Sequence, residues 1–174
     1  MKRRAGFVLM SLAAAMIMTA CRNDRPSQTS VTADAAALLG AWRSRIVFQD
    51  GPLAGMKDLE FLQSYNAGGT MTESSNYDEA SNSSPPAYGI WKQVGPNQFQ
   101  TKYLFYTTKE SGPEVPPNRD WWPAGHGLLT ETITLSADGQ SYTSTIRLAT
   151  YDLKDALLPN GGGEGTGTGT RIVF

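Results

Sequence analysis

From residue 41 onward, large apolar and polar side chains alternate with a period of two, and this constrains the fold more than any other feature of the chain. Successive side chains of a strand point to opposite faces, so such alternation marks strands with one buried face. Trp42, Ser44, Ile46 and Phe48 share one face, opposite Arg43, Arg45 and Val47. Leu59, Phe61 and Tyr65 oppose Glu60 and Ser64. Further strands are expected over 70–75, 88–94, 99–107, 128–135, 141–151 and 165–174. Asn66-Ala67-Gly68-Gly69, Gly95-Pro96-Asn97 and Ala137-Asp138-Gly139 separate three pairs of them as tight turns, because these residues accept the backbone angles a hairpin requires. The other connections, 49–57, 76–87, 109–127 and 152–164, are long.

An all-β chain of eight sequential hairpin-linked strands is expected to close into an antiparallel up-and-down barrel, with a short helix at its N-terminal side. That helix is expected from Asp34, a residue suited to an N-cap, followed by Ala35-Ala36-Ala37-Leu38-Leu39 and stopped by Gly40. In a meander, alternate connections lie at the same end. All four long loops are therefore expected at one rim and all the tight turns at the other, which makes a cup. Leu59, Phe61, Phe99, Tyr103, Ile146 and Leu148 are the expected core. Gly165, Gly167 and Gly169 alternate in the last strand, where they would leave room for large rings from opposite strands.

The first 20 residues have a different character. Met1-Lys2-Arg3-Arg4 is cationic, and 5–20 is apolar except for Ser11 and Thr19, with small residues at its end. This describes a secretory leader, too short for a membrane span. Cys21 directly follows it and is the only cysteine of the chain. Met18-Thr19-Ala20-Cys21 resembles the lipobox of a bacterial lipoprotein signal, with Met18 where leucine is commonest. The resemblance implies cleavage before Cys21, acylation of its thiol by a diacylglyceryl group and palmitate-type chains, and anchoring in the cell envelope. Arg22 after the cysteine is similar to lipoproteins sent to the outer membrane. The expected organisation is thus a signal peptide over 1–20, a lipidated cysteine with a polar tether over 21–33, and a barrel domain over 34–174.

Composition narrows the function. Three of the 15 basic residues and none of the 16 acids lie in the leader, so the remaining chain carries four more acids than bases. Mild acidity without a basic tract speaks against nucleic acid as a partner. One histidine and no cysteine after Cys21 leave no zinc set and no internal disulfide. No cofactor is expected, and no protein partner can be named.

Gly40-Ala41-Trp42, preceded by a short helix and opening the first strand, resembles the Gly-x-Trp signature of lipocalins. In that superfamily an arginine or lysine near the end of the last strand packs over the tryptophan at the closed end, and Arg171 in Thr170-Arg171-Ile172 stands in the corresponding place. Tyr65-Asn66-Ala67-Gly68-Gly69-Thr70-Met71-Thr72-Glu73 and Tyr88-Gly89-Ile90-Trp91 are similar to phrases of bacterial lipocalin-like proteins. The resemblance covers roughly 38–174. It implies structural roles for Gly40, Trp42 and Arg171, and a ligand at the open end. The chain lacks the lipocalin disulfide, the long C-terminal helix and a clear second motif.

Several residues offer chemistry. Tyr65, Tyr103, Phe105 and Tyr142 are expected to face inward and line a partly apolar pocket. Glu131 alternates with Leu129, Ile133 and Leu135. If that face is inward, a carboxylate lies inside an apolar barrel with a raised pKa and can hold a polar ligand head. The opposite assignment puts Leu128, Thr130, Thr132 and Thr134 inside. Trp121, Trp122 and His126 lie in the expected 109–127 loop, either as a ligand-contacting lid or as a plug and a solvated loop residue. No nucleophile pairs with His126, so no catalytic residue is assigned. The function expected is binding of a small, partly apolar molecule at the long-loop end. The alternatives are an envelope interaction protein with a solid core and, less favoured, a barrel isomerase or cyclase.

Overall fold

The computed structural model describes residues 35–77, 86–109 and 122–174. Eight strands follow a single 3-10 turn at Ala35–Leu38: β1 Gly40–Phe48, β2 Leu59–Tyr65, β3 Thr70–Ser75, β4 Ala87–Gly95, β5 Gln98–Lys109, β6 Trp122–Leu135, β7 Ser141–Asp152 and β8 Leu157–Arg171. Each strand pairs antiparallel with the next, and β8 pairs with β1, so the sheet closes. Closure removes both free edges, and one face of every strand is buried inside. The barrel is the one the alternation predicts, and all six expected core residues are buried.

Three local expectations differ from the structure. The N-terminal element is a 3-10 turn of four residues rather than one or two α-helical turns. Gly40 follows within two residues at φ +118°, a backbone that ends the turn and suits glycine. The connection expected over 152–164 is instead a tight turn. Oδ1 of Asp152 accepts the backbone N–H groups of Lys154 and Ala156, and β8 starts at Leu157. The glycine run at 161–163 carries no pattern to read, yet its backbone pairs with β7 at Leu148 and Ala149. Three long connections therefore remain, after β1, β3 and β5, all at the rim where β7 turns into β8. Finally, β6 begins at Trp122, so Trp122 and His126 belong to a strand rather than to a loop.

The other rim is sealed. Leu38 and Trp42 are fully buried, and the Trp42 indole N–H donates to the Leu38 carbonyl at 2.9 Å. Arg171 lies over the Trp42 ring at 4.3 Å from its centroid. Its guanidinium donates to the carbonyls of Leu39 at 2.6 Å, Gly139 at 3.0 Å and Ala37. One side chain thereby fastens the 3-10 turn and the β6–β7 turn to the barrel end, with the cation also favoured by the indole face. Trp91, Phe99, Ile133, Leu135 and Tyr142 complete this floor. Gly169 is required there: a Cβ at this position would come within 2.2 Å of the Tyr142 ring.

Candidate functional site

Above the floor the interior becomes polar. Ser44, Gln63, Glu73, Thr101, Glu131 and Ser144 are buried, and they come from β1, β2, β3, β5, β6 and β7. Each occupies the inward position of its strand's alternation, so their convergence follows from register. Glu73 and Gln63 are partners across β2 and β3, and Thr101 and Glu131 are partners across β5 and β6.

Gln63 organises the layer. Its amide oxygen accepts the hydroxyls of Ser44 at 3.0 Å and Tyr142 at 2.6 Å, and its amide nitrogen donates to Oε2 of Glu131 at 2.9 Å. Ser44 and Tyr142 also contact each other. Turning the amide over would set its oxygen against the carboxylate, so the network fixes one orientation. The Ser144 hydroxyl also acts on the Glu131 carboxylate, while the buried hydroxyls of Tyr65, Tyr103 and Thr101 have no hydrogen-bond partner among the described residues. A buried polar group left without a partner costs roughly 1–3 kcal/mol. Several such atoms in one layer are open to a further polar group.

Electrostatics agree with the geometry. Burial pushes the Glu131 carboxyl up from its ordinary value, opposed by its neighbours Ser144 and Gln63. Burial, reinforced by the Glu131 charge, holds the phenols of Tyr65, Tyr103 and Tyr142 well above the ordinary range for tyrosine. They remain neutral hydroxyls able both to donate and to accept.

Between this layer and the open rim lies a cavity of about 270 Å³. Leu59, Phe61, Phe105 and Leu129 form its apolar wall, Leu53 and Met56 its side under the β1–β2 connection, and Glu73 a polar wall position. Glu73 is the deeper of the two β3 residues that reach it and is 6% exposed.

Of the residues expected to meet a ligand, Tyr65, Tyr103, Glu131 and Tyr142 come together in the polar layer, and Phe105 lines the cavity. The inward face of β6 is therefore the one carrying Leu129, Glu131 and Ile133. His126 is not brought to the cavity. It sits on the outer face, stacked on Tyr151 with centroids 5.0 Å apart and 3.8 Å from Asp155. Trp122 is half-buried on β6 and does not line the cavity. Trp121 and Cys21 lie outside the described residues. Gln63 and Glu73 were not among the expected site residues. The signal was present, since Gln63 falls in step with Phe61 and Tyr65, and Glu73 with Met71.

No protein-family model matches the chain. No curated protein matches it either. Among solved structures, one described as EF1p2_mFAP2b bound to DFHBI is similar over 82% of this chain and 100% of that one, at 13% identity and a TM-score of 0.46. The eight-stranded closed antiparallel barrel itself fits a lipocalin-like fold. No helix among the described residues is long and apolar enough to cross a membrane.

Proposed function

We propose that this protein is a lipid-anchored envelope protein whose lipocalin-like barrel holds a small, partly apolar molecule at its long-loop end. One observation carries the binding half of this reading. A cavity with an apolar wall reaches a buried polar layer at Glu73, and in that layer the hydroxyls of Tyr65, Tyr103 and Thr101 lack partners among the described residues, the combination of apolar lining and few polar groups that ligand sites use. Its volume of about 270 Å³ suits a ligand smaller than a drug-sized molecule. A solid barrel working only through its rim loops would need neither the cavity nor the unpartnered polar atoms.

The anchoring half rests on the sequence around Cys21. Cleavage of 1–20, acylation of Cys21 and a tether over 21–33 would leave the chain held by several acyl chains, which one chain alone would not do stably. Arg22 favours the outer membrane. The tether leads into the 3-10 turn at the sealed floor, so the mouth of the cup would face away from the anchoring bilayer.

Native mass spectrometry of the acylated protein, gently extracted from its own host, tests the binding half. A small adduct retained by the wild type and released on unfolding is expected, and a ligand-free mass under all conditions would contradict it. Palmitate labelling tests the anchor: Cys21→Ser should abolish it, and persisting label would end the lipoprotein assignment.

A further inference from the structure

The outer faces of β6 and β7 change character along their length. Toward the sealed floor they are polar: Thr132 and Thr134 on β6 and Thr143 and Thr145 on β7 point outward and are exposed, as are Thr166 and Thr168 on β8. Threonine suits a strand face turned to water, so the barrel's own packing asks for nothing larger there. Toward the long-loop rim the same outward positions become apolar or aromatic. One row of register partners runs Tyr88, Leu104, Leu128 and Ala149 across β4 to β7. The next row runs Tyr106, His126, Tyr151 and Leu157 across β5 to β8.

These two rows form one continuous wall. Tyr88, Tyr106 and Leu157 are 63%, 62% and 60% exposed, and Leu104 is 37% exposed. His126 lies nearly flat on Tyr151, with 13° between the rings. At ~200 Å² for a large side chain, the wall exposes roughly 500 Å² of mainly apolar surface, as much as the largest patch of an ordinary monomer. Two such walls face to face bury about 1,000 Å², the size at which specific association begins. On the floor side the next row, Lys102, Thr130 and Arg147, gives the wall the polar rim that protein contacts have.

We infer that this wall is the contact surface between two copies of the chain, paired about a two-fold axis through its centre on β6. A two-fold contact sets a patch against itself, so the patch must be compatible with its own chemistry. The two rows contain no Lys, Arg, Asp or Glu, and like charges therefore do not meet across the axis. The exposed tyrosines bring an apolar ring and a hydroxyl that both donates and accepts, so a phenol can pair with a phenol. A strongly charged partner finds no counter-charge within the rows. A lipid surface would have to take in Asp155, whose side chain is 87% exposed and lies 3.8 Å from His126, whereas at the edge of a protein contact that carboxylate stays in water. The contact uses the outside of the barrel and leaves the cavity inside it untouched, so it stands independently of the small-molecule role proposed above.

Thiol cross-linking of the full chain in its own host tests this with a short bis-maleimide. Leu128→Cys puts a thiol at the centre of the wall, and Leu62→Cys puts one at an exposed leucine of β2, on the opposite side of the barrel. The wild type, with Cys21 alone, sets the background. A product of twice the chain mass is expected from Leu128→Cys and not from Leu62→Cys. Adding Tyr106→Ser to Leu128→Cys should weaken the association behind that product about five- to thirtyfold, the loss typical of an interface tyrosine, with the circular dichroism of the barrel unchanged. Equal products from the two positions, or a yield unmoved by Tyr106→Ser, would overturn the assignment. A product of any other mass gives the wall to a different protein. A thiol at 128 that is shielded from maleimide without forming a dimer gives it to lipid, and a freely reactive thiol without a dimer leaves the wall uncovered; each overturns the second copy as its occupant.

Discussion

The two halves of the barrel interior are built from the same alternating strands and reach opposite solutions. At the tight-turn end, Trp42, Phe99, Ile133, Leu135 and Leu38 pack without polar interruption, and Arg171 satisfies three backbone carbonyls that would otherwise face a closed end. Toward the long-loop end, the same register delivers Gln63, Glu73, Thr101 and Glu131, and the hydroxyls of Thr101, Tyr65 and Tyr103 find no partner among the described residues. Stability resides in the first half, and the binding proposed above would reside in the second. A site whose polar atoms are all satisfied internally has little left with which to bind.

The comparison breaks most readily with large truncations. Phe99→Ala, at a fully buried floor position, should cost about 3–5 kcal/mol in denaturant unfolding, the range for removing a buried aromatic and leaving a cavity. Phe105→Ala, on the half-buried cavity wall, should cost only about 1 kcal/mol, because much less apolar area is lost from the core. Equal costs at the two positions would mean that the halves do not differ in packing.

Arg171→Met tests the seal with a smaller change. Removing the guanidinium deprives three carbonyls of a charged donor and should destabilise the barrel by roughly 2–3 kcal/mol. Trp42 fluorescence should also report a wetter indole. A midpoint unchanged from wild type would show that the floor closes without the cation over the ring.

Much of this contrast was readable from sequence, for a physical reason. Where alternating side chains are large, as from Trp42 to Phe48 and from Phe99 to Phe105, the strands and their inward faces follow directly. Glu131 was placed on one of two candidate faces, because Leu128 and the threonines beside it could also fill a barrel; long-range pairing with Thr101 and Ile146 decides between them. The start of β8 was not legible, because Gly161-Gly162-Gly163 has no side chains to alternate, and its strand state comes from pairing with β7. His126 looked like a loop residue between two glycines, whereas those glycines face the crowded interior of β6. The polar layer was hidden by convention more than by physics: Gln63 stands in the inward register, but a glutamine is normally read as surface.

A subtler difference between the halves lies in pH dependence. Burial raises the Glu131 carboxyl above the ordinary 4.5, so the folded state binds more protons than the unfolded one across the interval between the two values. Its contribution to stability is full below 4.5 and is lost as pH rises through the folded value. Asp138 and Asp152 act oppositely: hydrogen bonds lower them, from Ser136 first for Asp138 and from the Ala156 backbone first for Asp152, and their contribution is lost as pH falls through their folded values. The ligand-free barrel should therefore be most stable on the acid side of neutrality. Glu131→Gln should flatten the decline toward neutral pH and raise stability there. A variant whose pH profile follows the wild type would show that this carboxyl is not held in a dry interior.

Methyl-labelled NMR of the barrel titrated with octanol, a small molecule with an apolar tail and one polar group, examines the division of labour most directly. The account predicts shifts at Leu53, Met56, Leu59 and Leu129 around the cavity, with Leu38, Ile133 and Leu135 at the floor left in place. Shifts centred on the floor methyls, or no shift at any of these methyls, would contradict a barrel sealed at one end and receptive at the other.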